Sequence, residues 1–186
     1  MTSAQTEKKF IEKKKTEALL ARNEIVVSAR SDVDALASRG FGNVDNEKLK
    51  LRLYEAMFLL DKGLIEVKQK NPKKTLGFQD VLQLFRAEDE NAWAKYLIYR
   101  DLRSRGYVVR NGFGLGVDFR LYERGEYGKD AAEYIVYGIQ EGKPVLMKEL
   151  ATTLKFALSA KKKLVLAVLN RRGEVVYYSL SKLMTR

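Results

Sequence analysis

The sequence predicts a mixed α/β (α+β) fold. A small N-terminal α/β unit is followed by a C-terminal unit whose mixed β-sheet is flanked by helices. Three observations carry this expectation. Short apolar runs such as Ile25-Val26-Val27 and Leu164 to Leu169 have the length of strands. Between them, Phe78, Val81, Leu82 and Phe85, and then Trp93, Tyr96, Leu97 and Leu102, recur at helical spacing. Asn71-Pro72-Lys73-Lys74 punctuates the first half with turn-forming residues. The expected organisation is a basic tail or frayed helix over 1–15, an N-terminal α/β domain with a helical connection over 16–90, and a C-terminal domain over 91–186.

The elements follow in order. Ala18 to Ser28 reads as one strand-like segment centred on Ile25-Val26-Val27. Ser31 offers a helix N-cap, and Val33, Leu36 and Ala37 give that helix a short apolar face before Gly40. Leu49, Leu51 and Leu53 alternate with charged residues, the pattern of a half-buried strand. Glu55 to Asp61 reads as a short helix closed by Gly63, with Leu64 to Val67 as the next strand. The aromatic stripes of the two following helices read as core rather than as a base-stacking platform. The second half reads strand, strand, strand, helix, strand, strand: Tyr107 to Arg110, Val117 to Tyr122, Glu133 to Ile139, a helix from about Met147 to Ala160 burying Leu150, Leu154 and Ala157, then Leu164 to Leu169 and Glu174 to Leu180. The last two are joined by Asn170-Arg171-Arg172-Gly173, a hairpin-turn signature.

Composition narrows the chemistry. The 186 residues are 46% hydrophobic and carry 35 Lys plus Arg against 24 Asp plus Glu, a formal charge of +11. Such a balance favours anionic partners, nucleic acid first and an anionic membrane surface second. No cysteine and no histidine occurs, so disulfides, thiolate sites and cysteine nucleophiles are excluded and a zinc site is improbable. No cofactor and no metal is expected. No apolar run reaches membrane-spanning length and the first 15 residues lack the apolar centre of a signal peptide, so a cytoplasmic location without membrane association is expected.

Gly112-Phe113-Gly114-Leu115-Gly116 precedes a strand instead of opening a helix after one, so it reads as a flexible hairpin connection and not as a phosphate loop. Tyr122 stands at the end of Val117-Asp118-Phe119-Arg120-Leu121, where a side chain can leave the core. Lys161-Lys162-Lys163 stands where a helix hands over to a strand, a place where lysines commonly offset the helix dipole.

Taken together, Tyr107-Val108-Val109, Asp118 to Tyr122, Tyr134-Ile135-Val136 and Ala160 to Leu164 resemble the catalytic domain of archaeal tRNA-intron (splicing) endonucleases, collinearly over about residues 95–180. The resemblance implies RNA cleavage without metal by a tyrosine, a histidine and a lysine. The tyrosine falls on Tyr122 and the lysine on Lys162. The histidine falls on Ala131, with Ala132 the neighbouring alternative. A 2′-hydroxyl would attack the adjacent phosphate and leave a 2′,3′-cyclic phosphate and a 5′-hydroxyl. Tyr122 would help remove the 2′ proton, Lys162 would stabilise the transition-state charge, and the absent histidine would have protonated the leaving oxygen. A chain with alanine there should be severely impaired. Retention of Tyr122 and Lys162 favours an engineered His→Ala substitution over a natural non-catalytic subunit.

The same resemblance implies a bulge-helix-bulge precursor tRNA as substrate, with Lys155, Lys161 and Lys163 as RNA-contacting candidates. It also implies subunit contacts through the tip at Arg171 and Arg172 and through the strand of Val175, Val176 and Tyr177. Self-assembling relatives carry an acidic tip that enters a basic cleft on a neighbour. The basic tip here would oppose that docking, so the expected assembly is an α2β2 heterotetramer with an acidic-tip partner subunit. The alternatives are a structural, RNA-gripping subunit of the same complex, or an unrelated basic nucleic-acid-binding protein.

Overall fold

The computed structural model describes residues 15–21, 24–70, 73–114 and 116–181. The expected tail over 1–15, apart from Lys15, and Asn71-Pro72 of the punctuating turn lie outside them. Within the N-terminal unit, β1 (Thr16–Ala21), β2 (Glu24–Val27), α1 (Arg30–Ala37), β3 (Asn43–Asp45), β4 (Lys48–Leu51), α2 (Leu53–Asp61), β5 (Ile65–Gln69) and β6 (Lys74–Leu76) follow one another. They build a six-stranded sheet in the order β3-β4-β2-β1-β5-β6. β1 and β5 run parallel; the other pairs are antiparallel.

Three local expectations give way here. The single segment Ala18 to Ser28 is a hairpin, with Ala18 opposite Val27 and Ala21 opposite Glu24. In the sequence the polar pair Arg22-Asn23 interrupts the apolar pattern, which separates the two strands of this hairpin. α1 begins one residue before Ser31, because the Ala29 carbonyl already accepts the N–H groups of Asp32 and Val33. The Leu49, Leu51, Leu53 alternation spans two elements, as β4 stops at Leu51 and Leu53 opens α2. Glu55 explains the switch: its carboxylate accepts the Arg52 N–H at 2.8 Å and closes the start of the helix. The expected helix stop at Gly63 holds, with φ at +64°.

α3 (Phe78–Glu88) and α4 (Ala92–Ser104) lead into the second sheet. Its strands are β7 (Val108–Gly114), β8 (Val117–Tyr122), β9 (Tyr134–Gln140), β10 (Lys163–Leu169) and β11 (Val175–Leu180), ordered β11-β10-β9-β8-β7. Only β9 and β10 are parallel, and α5 (Met147–Ser159) supplies the crossover that a parallel pair requires. The mixed sheet between helices matches the expected fold class. Gly112 and Gly114 belong to β7 itself and not to a loose connection. The register shifts between Asn111 and Gly114, and a Cβ at Gly112 would overlap the Val117 carbonyl.

Most of the aromatic stripe of α4 is core, as expected: Tyr96, Leu97 and Leu102 are buried, whereas Trp93 at its start is 40% exposed. Tyr99 is buried as well, and the Tyr54, Tyr99 and Phe119 rings meet at 4.8–5.9 Å. One apolar cluster therefore joins α2, α3 and α4 to the inner face of the second sheet. A smaller cluster of Val117, Ile135, Ala157 and Leu164 lies under α5. Of the α5 residues expected inside, Ala157 is buried, Leu150 and Leu154 are half-buried, and Thr153 is buried with them.

A buried polar knot fastens the two units. Glu55, 2% exposed, also accepts the Gly42 N–H at 3.1 Å and stands 3.7 Å from Arg110 Nη1. Arg110 of β7 donates to the Gly40 and Gly42 carbonyls at 3.0 and 2.6 Å and to Asn43 Oδ1. Burial pushes the Glu55 carboxyl above the ordinary glutamate value, against the pull of the Arg52 hydrogen bond and the Arg110 charge. A pKa raised on folding means that the native state holds the proton more tightly. This contribution to stability is complete below the unfolded-state value and is lost as pH rises through the folded one. Glu55→Gln removes the titration, but its single amide oxygen leaves one N–H unpaired, at about 1–3 kcal/mol. The advantage of the unsubstituted chain over Glu55→Gln, measured by denaturant unfolding, is expected to shrink as pH rises. Parallel pH profiles would contradict it.

Candidate active site

Tyr122, Ala131 and Lys162 flank one row of the second sheet. Tyr134, the first residue of β9, pairs with Leu121 on one side and Lys163 on the other. Tyr122 follows Leu121, Lys162 precedes Lys163, and Ala131 stands three residues before Tyr134. Steps of one to three residues, at about 3.3 Å each, keep all three backbones within about 10 Å of that row. They share one end of the sheet, where β8 finishes and β9 and β10 begin.

Each position has a local cause. Tyr122 is half-buried beyond the last apolar residue of β8, and its ring meets Tyr127 edge-on, with centroids 5.2 Å apart at 85°. Ala131 is exposed while Ala132 is 4% exposed, so of the two a side chain at 131 is the one that reaches solvent. Lys161 ends α5 in the left-handed region at φ +53°, a residue type rarely held there, and turns Lys162 back toward the entry of β9. The Lys162 ammonium donates to the Ala132 carbonyl at 2.5 Å, which joins the lysine to the segment that carries position 131.

The three consecutive lysines are not equivalent. Lys163 pairs with Glu133 at 2.5 Å and lies 5.3 Å from the Tyr134 ring centroid. The hydrogen bond to Glu133 holds the Lys163 ammonium above its ordinary value, and the same bond holds the exposed Glu133 carboxyl below its own. Lys162 is half-buried and bonded to the Ala132 carbonyl, whereas Lys161 and, on α5, Lys155 are exposed.

Of the residues expected at subunit contacts, Arg171, Arg172 and Val176 are exposed, while Val175 and Tyr177 are half-buried against α4. Tyr177 donates its hydroxyl to Asp101 at 2.7 Å, and burial first, then that bond, raises the phenol. Tyr178 of the same late apolar strand, 55% exposed beside Val176, adds to the outward apolar surface. Not visible in the sequence was a polar cavity of about 120 Å³ between the two units, where Arg52, Arg110 and Arg120 stand around Tyr54 and Glu55. Its arginines are scattered through the sequence, and only the pairing of β7 with β8 and the Glu55 knot bring them together. No helix among the described residues is long and apolar enough to cross a membrane.

Comparison with known proteins gives this geometry a family. Residues 92–177 match the tRNA intron endonuclease catalytic C-terminal domain, and residues 16–82 match the tRNA intron endonuclease N-terminal domain. The tRNA-splicing endonuclease of Methanococcus maripaludis is 33% identical over 171 residues, 92% of this chain and 96% of that protein. Those of Pyrococcus furiosus and Thermococcus kodakarensis are 35% and 36% identical over 141 and 140 residues, about three quarters of this chain and 80% and 81% of theirs. The chain belongs to the tRNA-splicing endonuclease family.

Proposed function

We propose that this chain is a catalytic-type subunit of an endonuclease that cuts precursor tRNA at bulge-helix-bulge intron boundaries without metal, and that its general-acid position is vacated at Ala131. The observation that carries the reading is the Lys162–Ala132 bond, which fixes a cation on the segment of position 131 opposite Tyr122. The 2′-oxygen attacks phosphorus while its proton leaves with help from Tyr122. Lys162 bears the charge gathering on the non-bridging oxygens. The bond from phosphorus to the 5′-oxygen then breaks, giving a 2′,3′-cyclic phosphate. The leaving oxygen must take its proton from water, because alanine donates none. Lys155 and Lys161 hold RNA phosphates nearby.

The partner is a second endonuclease subunit with an acidic tip, in an α2β2 assembly. Two surfaces support this: the exposed basic tip at Arg171 and Arg172, and the cavity of Arg52, Arg110 and Arg120, which suits carboxylates. A stable, RNA-cleaving tetramer of Ala131→His chains alone would sink the heteromer. With the partner, the unsubstituted chain is expected to hold a bulge-helix-bulge RNA in a gel-shift assay, more weakly as salt rises, and to cut it slowly and equally with or without EDTA. Absence of binding, or cleavage abolished by EDTA, would overturn the reading.

Ala131 itself favours a second reading, a structural subunit that grips precursor tRNA and supports a partner's site. It predicts that Tyr122→Phe and Lys162→Ala leave the rate of an active assembly unchanged.

A further inference from the structure

We propose that Tyr127 is a positioning residue for Tyr122, and that through its ring the N-terminal unit sets the geometry of the cleavage end of the sheet. The inference rests on the cleavage reading above for its kinetic consequence, but not for its geometry. Tyr122 is the last residue of β8 and pairs with Val108 of β7, so its backbone is held at the end of the strand. Tyr127 meets that ring edge-on at 5.2 Å. On its other sides, Tyr127 faces the Arg110 guanidinium, 5.8 Å from its ring centroid, and the backbone of Gly40.

Gly40 is where the N-terminal unit meets the Tyr127 ring. Its φ is +76°, and a Cβ there would overlap Val108 Cγ1 and stand 3.5 Å from Tyr127 Cε1. Arg110 holds this turn in place through the Gly40 and Gly42 carbonyls. Residues past Tyr127 fold back at once: the Glu126 carbonyl accepts the N–H groups of Lys129 and Asp130, and Tyr127 forms a bridge with Asp130. The segment that reaches Ala131 therefore starts from the same ring that braces Tyr122. An edge-on aromatic pair contributes roughly 0.5–1.5 kcal/mol beyond its buried area, enough to select one ring orientation but too little to hold the fold. Misplacement of a reacting group by about 1 Å can cost about 10²-fold in rate.

The test reads Tyr122 directly. The full chain is made with 3-fluorotyrosine at position 122 and followed by ¹⁹F NMR. One narrow resonance is expected, shifted and broadened in Tyr127→Ala and restored in Tyr127→Phe, which keeps the ring and loses only the hydroxyl. Tyr127→Leu keeps bulk without a ring and takes the place of Tyr127→Ala if that variant does not fold. A resonance that neither replacement moves overturns the proposal.

In Ala131→His chains assembled with the partner, Tyr127→Ala is expected to lower kcat about 10- to 100-fold with KM unchanged, and Tyr127→Phe to recover it. Equal loss in both variants, or a change in KM alone, would also overturn it. If the resonance responds while the Ala131→His assembly cuts nothing, the cleavage reading fails and the positioning stands.

Discussion

Ala131→His, in the complex with the acidic-tip partner, is expected to speed cleavage of a bulge-helix-bulge RNA by about 10²–10⁴ over the unsubstituted complex, the usual contribution of a positioned general acid. The expectation is structural as well as chemical. Position 131 is exposed, whereas Ala132 beside it is buried, so an imidazole fits at 131 without disturbing the core and would not fit at 132. It would stand on the segment tied to Lys162, with Tyr122 at the end of the adjoining strand. Products should carry 2′,3′-cyclic phosphate and 5′-hydroxyl ends, which end-labelling distinguishes from the 3′-hydroxyl and 5′-phosphate ends of a metal-dependent cut. The rate should fall as pH rises past the histidine range, near 6.5 for an unperturbed imidazole, because the acid must be protonated to act. A complex that binds RNA and assembles, yet gains less than tenfold from Ala131→His, would place cleavage in the partner alone.

How far the sequence reaches toward this site depends on the distance over which its causes act. β8 is legible to the residue because Val117 to Tyr122 alternates cleanly and glycine precedes it, and both are local signals. The places of Tyr122 and Lys162 at the ends of such elements are legible, whereas their candidate roles come from the family resemblance. The start of α2 is not, because Leu53 continues the alternation of β4 and what ends that strand is Glu55 reaching back to Arg52. Still less legible are Arg110 and Tyr127. Arg110 looks like one basic residue among 35 until pairing of β7 with β8 faces it toward the turn at Gly40. Tyr127 lies in a charged segment with no periodicity, so nothing local separates it from nine other tyrosines. The family resemblance names the tyrosine and the lysine; the side chain that braces one of them is visible only in three dimensions.

Lys162→Ala, made in the Ala131→His complex, is expected to lower kcat by about 10²–10³ with little change in RNA affinity, the loss typical of removing one donor from a transition-state anion. Magnitudes separate this from a structural effect. The Lys162 ammonium also bonds the Ala132 carbonyl, and a hydrogen bond from a charged group contributes roughly 1.5–3 kcal/mol. A 10²–10³ loss corresponds to about 2.7–4 kcal/mol, above what the bond supplies over most of that range. Lys163→Ala is the control. Its ammonium is paired to Glu133 and lies over the Tyr134 ring, so it presents little free charge to a phosphate, and its loss should change kcat less than fivefold. Lys162→Arg should recover only part of the rate, because the planar guanidinium cannot take the place of a compact ammonium on both the carbonyl and the phosphate. If Lys162→Ala and Lys163→Ala fall by the same factor, the run acts as a general phosphate-binding patch, and the assignment of transition-state charge to Lys162 is wrong.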